Sequence, residues 1–188
     1  MKKTLLTSFA LAVLISGCAT MSPEQCMVAD WYRLGEQDAL AGRTSDHLAN
    51  RAGACQEAGY GVDTESWYAG FEAALPSFCT IDSGFQFGVN GSRYQNSCPV
   101  QFADEFIDGY QLGSEIYALQ QSTLAAQRRM DQTRNLIDRE MRQEQPDLDR
   151  IDDLQDDLDD IMRDLRALES ELGTVRGVAI GRGFSVPR

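Results

Sequence analysis

Side chains suited to catalysis are scarce in this sequence of 188 residues. His47 is the only histidine, and no Gly-x-Ser-x-Gly motif marks an activated serine. Carboxylate pairs such as Asp30 and Asp38 satisfy glycosidase chemistry by residue type alone, as pairs in almost any acidic chain would. The sequence therefore predicts a protein that is not an enzyme, with a hydrolase as the least favoured alternative.

A run of carboxylates from Asp152 to Asp160 raises the question of calcium binding. An EF-hand loop needs alternating oxygen ligands, a glycine at the turn and a closing glutamate, and the run lacks that spacing. On a helix, Asp152, Asp156 and Asp160 would share the outer face, where they could meet a cationic partner. The run is therefore predicted to be a solvated acidic face, with weak binding of a divalent ion or of a cationic partner through Asp152, Asp156 and Asp160 as the alternative; no dedicated metal site and no cofactor are predicted.

Cys18 lies at the end of an apolar segment near the N-terminus. The run from Leu5 to Ile15 follows two lysines and is too short to span a bilayer as a helix, which takes about 20 residues. Ile15-Ser16-Gly17-Cys18 resembles the lipobox of bacterial lipoproteins, in which the cysteine is acylated and the leader is removed.

This resemblance implies a signal peptide over residues 1–17 and a lipidated N-terminus with a short tether over residues 18–21. A multiply acylated Cys18 would hold the chain firmly at a membrane, because more than one acyl chain is needed for a stable anchor. Ala19 follows Cys18, whereas an aspartate there tends to retain such lipoproteins at the inner membrane. The predicted location is therefore the outer membrane, on its periplasmic face.

The four remaining cysteines are Cys26, Cys55, Cys79 and Cys98. An even number in an oxidising compartment indicates two disulfides, for which three connectivities exist. We favour Cys26–Cys55 with Cys79–Cys98, because each bond would tie neighbouring helices together. A zinc site is the rival interpretation, although the spacings are wide and no Cys-x-x-Cys occurs.

The mature chain is strongly acidic. Removing Lys2 and Lys3 with the leader leaves 15 basic residues, all of them arginines, against 29 acidic ones, so the net charge is −14. A nucleic-acid partner is not expected, because its phosphates must be neutralised by arginine and lysine. The predicted partners are instead the membrane, through the lipid on Cys18, and a protein of the periplasm or envelope.

Capping and breaking residues divide residues 22–117 into short helices. Ser22-Pro23-Glu24-Gln25 places a cap residue, then a proline at the first helical position, then a glutamine where a capping box requires one. The predicted helices span residues 22–41, 46–58 and 63–78, a fourth lies within residues 80–95, and a long fifth helix begins at Pro99. All but one of the aromatic residues that follow the leader lie in this region, so it should contain the compact core.

Glycines recur three or four residues from aromatic residues, as in Trp31 with Gly35 and Trp67 with Gly70. Helical spacing places both members on one face, so a flat ring can cover bare backbone. The pattern favours closely packed short helices. The alternative is that Trp31 and Trp67 line an aromatic groove for a glycan or a peptide.

Residues 118–172 follow a heptad pattern. Apolar residues recur at spacings of three and four over residues 148–172, which is typical of a coiled-coil seam. Pro146 would cost about 3 kcal/mol inside a helix, so we predict a turn near residues 144–147, with Pro146 at the first position of the second helix. The alternative is one kinked helix that pairs with another chain in a homo-oligomer. Residues 173–188 are predicted to be a flexible tail.

Residues 21–117 resemble a family of bacterial lipoproteins whose shared domain has no assigned function. The resemblance rests on cysteine, glycine and aromatic spacing in the segments Ser22-Pro23-Glu24-Gln25-Cys26, Ala29-Asp30-Trp31-Tyr32-x-x-Gly35-x-x-Asp38, Trp67-Tyr68-x-Gly70, Phe78-Cys79-Thr80, Gly84-x-x-x-Gly88-x-x-Gly91-x-x-Tyr94, Cys98-Pro99 and Tyr110-x-x-Gly113. The family pattern has glycine after the aspartate of the second segment, where this chain has Ala39. The resemblance implies domain boundaries and no activity.

The sequence thus predicts an all-α fold, with a disulfide-tied bundle of short helices over residues 22–117 and a long antiparallel coiled-coil helical hairpin over residues 118–172. The expected role is non-catalytic, either structural or in protein interaction, at the periplasmic face of the outer membrane. Binding of a glycan or of peptidoglycan through aromatic residues is the alternative.

Overall fold

The computed structural model describes residues 21–187, and every regular element in that range is a helix. The helices are α1 (Pro23–Met27), α2 (Trp31–Leu40), α3 (His47–Glu57), α4 (Thr64–Phe78), α5 (Ile81–Val89), α6 (Val100–Glu140) and α7 (Leu148–Gly181). The predicted all-α class is confirmed for these residues. The predicted leader and Cys18, the predicted lipidation site, lie outside the described residues.

Side-chain caps begin the helices where the sequence indicated. The Ser22 hydroxyl accepts a hydrogen bond from the Gln25 amide, and the Gln25 side chain accepts one from the Ser22 amide, which is a complete capping box. Asp63 caps α4 by accepting a hydrogen bond from the Ser66 amide at 3.0 Å. These caps satisfy amides that have no partner within the helix.

The single helix predicted over residues 22–41 is wrong, because the chain breaks between α1 and α2. The carboxylate of Asp30 accepts a hydrogen bond from the Arg33 amide at 3.1 Å and starts a new helix at Trp31. Asp30 itself has extended backbone angles. Although the residues on both sides of Asp30 have a helical pattern, its side chain caps a new helix, and the first helix does not continue through it.

Glycines allow α2 and α4 to pack backbone to backbone. A Cβ added at Gly35 would lie 2.0 Å from the Trp67 carbonyl oxygen, and one added at Gly70 would lie 2.0 Å from the Tyr32 carbonyl oxygen. The two contacts are reciprocal, so each helix places a carbonyl against the bare backbone of the other. No residue larger than glycine fits at either position without separating the helices.

The packing of α5 against α6 repeats this arrangement. A Cβ at Gly84 would lie 2.1 Å from the Phe106 carbonyl oxygen, and one at Gly109 would lie 2.0 Å from the Ile81 carbonyl oxygen. In each pair the first helix ends at a glycine with positive φ, seven residues after its packing glycine; these are Gly42 with φ 70° and Gly91 with φ 68°. The domain therefore contains two copies of one glycine-packed helix pair.

Aromatic rings do pack on glycines, as predicted, but at the glycines that follow α2 and α5. Gly42 faces the rings of Phe78 and Phe87, and Gly91 faces the ring of Tyr117. Where α2 packs on α4 and α5 packs on α6, the helical glycines meet the partner helix's backbone instead. The expected close packing is thus present, but at these two interfaces backbone contact rather than ring contact accounts for the glycines.

An aromatic cluster joins the two helix pairs. Phe78 of α4 lies 5.5 Å from Phe87 of α5 and 4.9 Å from Phe106 of α6, measured between ring centroids. Tyr94 and Tyr110 extend the cluster, with Tyr94 at 4.7 Å from Phe106. Aromatic rings bury large apolar areas, so this cluster supplies much of a core that contains few aliphatic side chains.

Helix α6 crosses the predicted domain boundary near residue 117 without a break and packs against α7. At the turn, the exposed Arg150 lies 3.7 Å from the buried Glu140 carboxylate. At the other end, Arg182 pairs with Asp108. Helix α7 begins at Leu148, two residues after the proline that was predicted to start it, because Asp147 caps it by accepting from the Arg150 amide.

The prediction of a flexible tail over residues 173–188 is wrong for the described part of that segment. Helix α7 continues to Gly181, and beyond it Phe184 stacks on Phe85 at 4.3 Å between centroids. Gln86 donates a hydrogen bond to the Ser185 carbonyl at 3.0 Å. Glycine content suggested mobility, but one buried aromatic residue holds the segment against α5.

Candidate functional site

The four predicted disulfide cysteines lie in two bonded pairs. Cys26 is joined to Cys55 with a Cα–Cα distance of 5.4 Å, and Cys79 is joined to Cys98 at 5.6 Å. This is the connectivity favoured from the sequence. These cysteines hold no free thiolate for zinc, and residues 21–187 contain no cluster of three histidine, cysteine or carboxylate side chains that could hold a metal.

The two tryptophans proposed for sugar stacking are buried. Trp67 has no exposed surface and Trp31 is 7% exposed. The Trp67 ring stacks on Phe71 at 4.8 Å. Neither indole can offer a face to a glycan, so the predicted aromatic groove built on these residues is wrong. The spacing of Trp31 from Gly35 and of Trp67 from Gly70 is therefore a pattern of core packing and not of a binding site.

A buried polar cluster surrounds Asp38, whose surface is 3% exposed. Arg51 donates two hydrogen bonds to the carboxylate, from Nε and from Nη2, each at 2.7 Å. Trp67 donates a third from Nε1 at 3.1 Å, and His47 Nε2 lies 3.5 Å from Oδ1. Two donors in a fork are the geometry that arginine forms with a carboxylate, and they largely satisfy the buried charge.

The Asp38 cluster connects three helices. Asp38 lies on α2, His47 and Arg51 lie on α3, and Trp67 lies on α4. Helix α3 otherwise has few packing contacts, with Leu48 and Cys55 as its buried side chains. The cluster and the Cys26–Cys55 bond therefore account for most of what fixes α3.

The surroundings of His47 lower its pKa and so favour the neutral imidazole. Burial lowers the pKa of His47 below its ordinary value, and the nearby Arg51 and Arg43 charges lower it further, although the Asp38 carboxylate opposes them. Within residues 21–187 no serine, threonine or cysteine side chain donates a hydrogen bond to this imidazole. What the contacts show is a carboxylate that holds side chains of three helices together.

Sequence reasoning missed the partners of Asp38, although one signal was present. His47 and Arg51 are four residues apart on α3, so both side chains lie on one helix face. A histidine and an arginine on the same face as a buried leucine indicate a buried acceptor opposite. The sequence does not say which of the 29 acidic residues supplies it.

The predicted acidic surface lies on the solvent side of α7. Asp152, Asp156 and Asp160 are all exposed, and Asp160 forms an ion pair with Arg163 one turn along the helix. Cys18 lies outside the described residues. Among those residues no helix is both long and apolar enough to cross a membrane.

Comparison with known proteins gives one family match over part of the chain and no function. No curated protein and no solved structure matches the chain. One family model does match part of the chain. The matched region begins at Asp30, the cap of α2, and includes the packing glycines of both helix pairs. Residues 30–115 match the family described as protein of unknown function (DUF2799), which confirms over that range the expected resemblance to a domain without an assigned function.

Proposed function

We propose that this chain is a lipoprotein anchored through Cys18 in the outer membrane, facing the periplasm, where it binds another envelope protein without catalysing a reaction. The glycine-packed domain would lie near the membrane, and the arm formed by residues 118–172 of α6 and α7 would be the interaction element. The single observation that carries the proposal is the surface of α7 in this arm.

Helix α7 leaves its apolar seam only half covered by α6. On the α6 side, Thr123, Ala126, Thr133 and Ile137 are buried. On the α7 side, the seam residues of the arm are half-buried as far as Leu168, and they are Ile151, Leu154, Leu158, Ile161, Leu165 and Leu168. Two helices alone bury this seam incompletely, which supports the packing of a further helix against it.

Charge gives the partner its chemical character. Residues 147–172 contain eleven acidic and three basic side chains, a net charge of −8. Asp157 and Asp164 lie beside the half-covered seam, Asp152 and Asp156 lie on the outer face of α7, and all four are exposed. A partner helix with apolar and basic residues would complement both the seam and these charges. A second copy of this acidic helix would meet like charges, so a different protein is favoured over self-association.

The anchor is tested by metabolic labelling with an alkyne-bearing palmitate analogue, followed by separation of inner and outer membranes. We expect label on the wild-type chain in the outer-membrane fraction and none on Cys18→Ser. An unlabelled wild-type chain, or a labelled chain that stays in the inner membrane, would contradict the proposed anchor or its location.

The partner is tested by a photo-crosslinking amino acid at Gln155 in living cells, with Gln132 on the exposed side of α6 as the matched position in the same arm. We expect a reproducible adduct to another protein from Gln155 and little from Gln132. Adducts only to the chain itself, adducts of equal yield from both positions, or no adduct would contradict the proposed interaction.

The charge requirement is tested by Asp152→Lys with Asp156→Lys. The matched control is Asp131→Lys with Asp138→Lys, which changes two exposed carboxylates on α6 by the same amount. We expect the α7 variant alone to lose most of the Gln155 adduct. Equal adduct yields from the two variants would remove the acidic face from the proposal.

A further inference from the structure

An open groove lies between α1, α2 and the Arg51 side of α3, with a volume of about 470 Å³. Its apolar lining comes from Met21, Val28, Ala29 and Leu34. Its polar lining comes from Gln25, Asp30, Arg33, Gln37 and Arg51. The groove is therefore amphipathic, and neither a purely apolar ligand nor a simple ion would use all of its surface.

The charged groups of the groove differ in their availability. Arg51 is committed to Asp38 through two hydrogen bonds. The exposed Arg33 side chain has no ion-pair or hydrogen-bond partner within residues 21–187. Asp30 uses Oδ1 to cap α2, which leaves its second oxygen at the groove. One available guanidinium and one available carboxylate oxygen thus lie three residues apart.

The position of the groove relates it to the proposed anchor. Met21 lines the groove and packs against the core, so the chain is fixed in the fold from that residue onward. Cys18 is three residues earlier, a distance of at most about 11 Å along the extended chain. Met27 and Val28, which follow at the end of α1, are 64% and 75% exposed. If Cys18 is in the membrane, this groove must be at or near the lipid headgroups.

We infer that the groove binds the headgroup of a glycerophospholipid from the leaflet that holds the anchor. The phosphodiester lies against the guanidinium of Arg33, where a charge-assisted hydrogen bond is strong. The ammonium of an ethanolamine headgroup lies against the free oxygen of Asp30. The glycerol and the first methylenes lie against Val28 and Leu34. A zwitterionic lipid fits better than an anionic one, because the groove holds both signs and the whole chain is acidic.

This inference rests on the proposed function, because only the lipid on Cys18 brings the groove to a bilayer. It adds that the domain has a fixed orientation on the membrane. A lipid tether alone does not fix the orientation of the domain on the bilayer. A second contact through Arg33 removes that freedom and sets the direction of the arm.

The test is native mass spectrometry of the full lipidated chain in detergent, titrated separately with phosphatidylethanolamine, phosphatidylglycerol, glycerophosphoethanolamine and inorganic phosphate. We expect one bound phosphatidylethanolamine per chain.

Three variants then locate the lipid in the groove. Arg33→Gln should weaken phosphatidylethanolamine binding about tenfold, which corresponds to about 1.4 kcal/mol. Arg128→Gln, an exposed arginine on α6, should leave it unchanged. Asp30→Ser keeps a capping oxygen and should abolish the preference for ethanolamine over glycerol headgroups.

Each contrary result overturns a defined part of the inference. Equal binding by Arg33→Gln and Arg128→Gln would exclude the groove as the site. Inorganic phosphate binding as tightly as the lipid would make it a free-anion site. A labelled Cys18 without bound phospholipid would overturn this inference and leave the proposed function standing. An unlabelled Cys18 would overturn both, because the groove would then have no reason to meet a bilayer.

Discussion

Substitution of Gly35 by alanine is the most direct test of the backbone packing. The added Cβ would lie 2.0 Å from the Trp67 carbonyl oxygen, against an ordinary contact distance of at least 3.4 Å, and 2.8 Å from the Phe71 amide nitrogen. Both atoms are backbone, so no side-chain rotation relieves the overlap. Helix α2 must then separate from α4 by about an ångström, which weakens every contact along that interface.

The cost can be estimated against the intrinsic preference for alanine in a helix. Alanine is favoured over glycine by about 1 kcal/mol in a helix interior, while overpacking of a close-packed contact costs about 1–3 kcal/mol or more. Because α2 and α4 also meet at Gly70, the separation disturbs two contacts. We expect Gly35→Ala to lower the free energy of unfolding by about 2–3 kcal/mol.

The matched control is Gly53→Ala. Gly53 lies inside α3, and a Cβ there would meet nothing within 4 Å. The same substitution should therefore raise the free energy of unfolding by up to about 1 kcal/mol. Urea titration followed by far-UV circular dichroism, with the disulfides intact, measures both. If Gly35→Ala is as stable as Gly53→Ala, the contact of Gly35 with the Trp67 carbonyl does not set the distance between α2 and α4, and the reasoning is wrong.

Three further perturbations test the Asp38 cluster and the docked tail. Asp38→Asn should lower the free energy of unfolding in urea by about 2–4 kcal/mol, because the Arg51 guanidinium loses its full counter-charge in a buried position. Burial lowers the pKa of His47 in the fold, so the unfolded chain binds the proton more readily. The wild type should lose stability relative to His47→Gln in thermal melts as the pH falls from about 7.5 to about 5.5, through the unfolded value of about 6.5. Phe184→Ala removes the ring stacked on Phe85 and should expose the C-terminal end of α7 to trypsin, with a stability loss of about 2–3 kcal/mol.

Matched variants separate these effects from general damage. Asp46→Asn changes an exposed residue that makes no capping hydrogen bond, and should be neutral. Ile180→Ala changes a side chain that is 63% exposed near the end of α7 and should leave the trypsin sensitivity unchanged. A constant difference between wild type and His47→Gln across the pH range would contradict the lowered pKa.

Local chemistry made the first residues of α1 and α4 predictable. The capping box at Ser22 and the cap at Asp63 are each complete within four residues, so their effect does not depend on distant parts of the chain. The break at Asp30 was missed because the residues before it carry a continuous helical pattern. The sequence does not say whether an aspartate in such a pattern caps a new helix or faces solvent, because its backbone conformation decides.

The residues joined over long distances were less predictable. Asp38 and Trp67 are 29 residues apart, and no motif connects them. The two tryptophans were open to a binding role because a buried indole and an exposed one look alike in sequence. Phe184 was overlooked because it is isolated among glycines, although its ring has the packing of a core residue.

The order of the disulfides has a consequence for how the chain reaches its fold. Each bond joins cysteines that are consecutive in the sequence, with separations of 29 and 19 residues, and the two loops do not overlap. If the chain crosses a membrane with its N-terminus first, Cys55 is the next thiol to emerge after Cys26, and both can pair before Cys79 arrives. Simple oxidation in order of emergence then gives the native connectivity, so maturation should need an oxidant and no reshuffling of mispaired bonds.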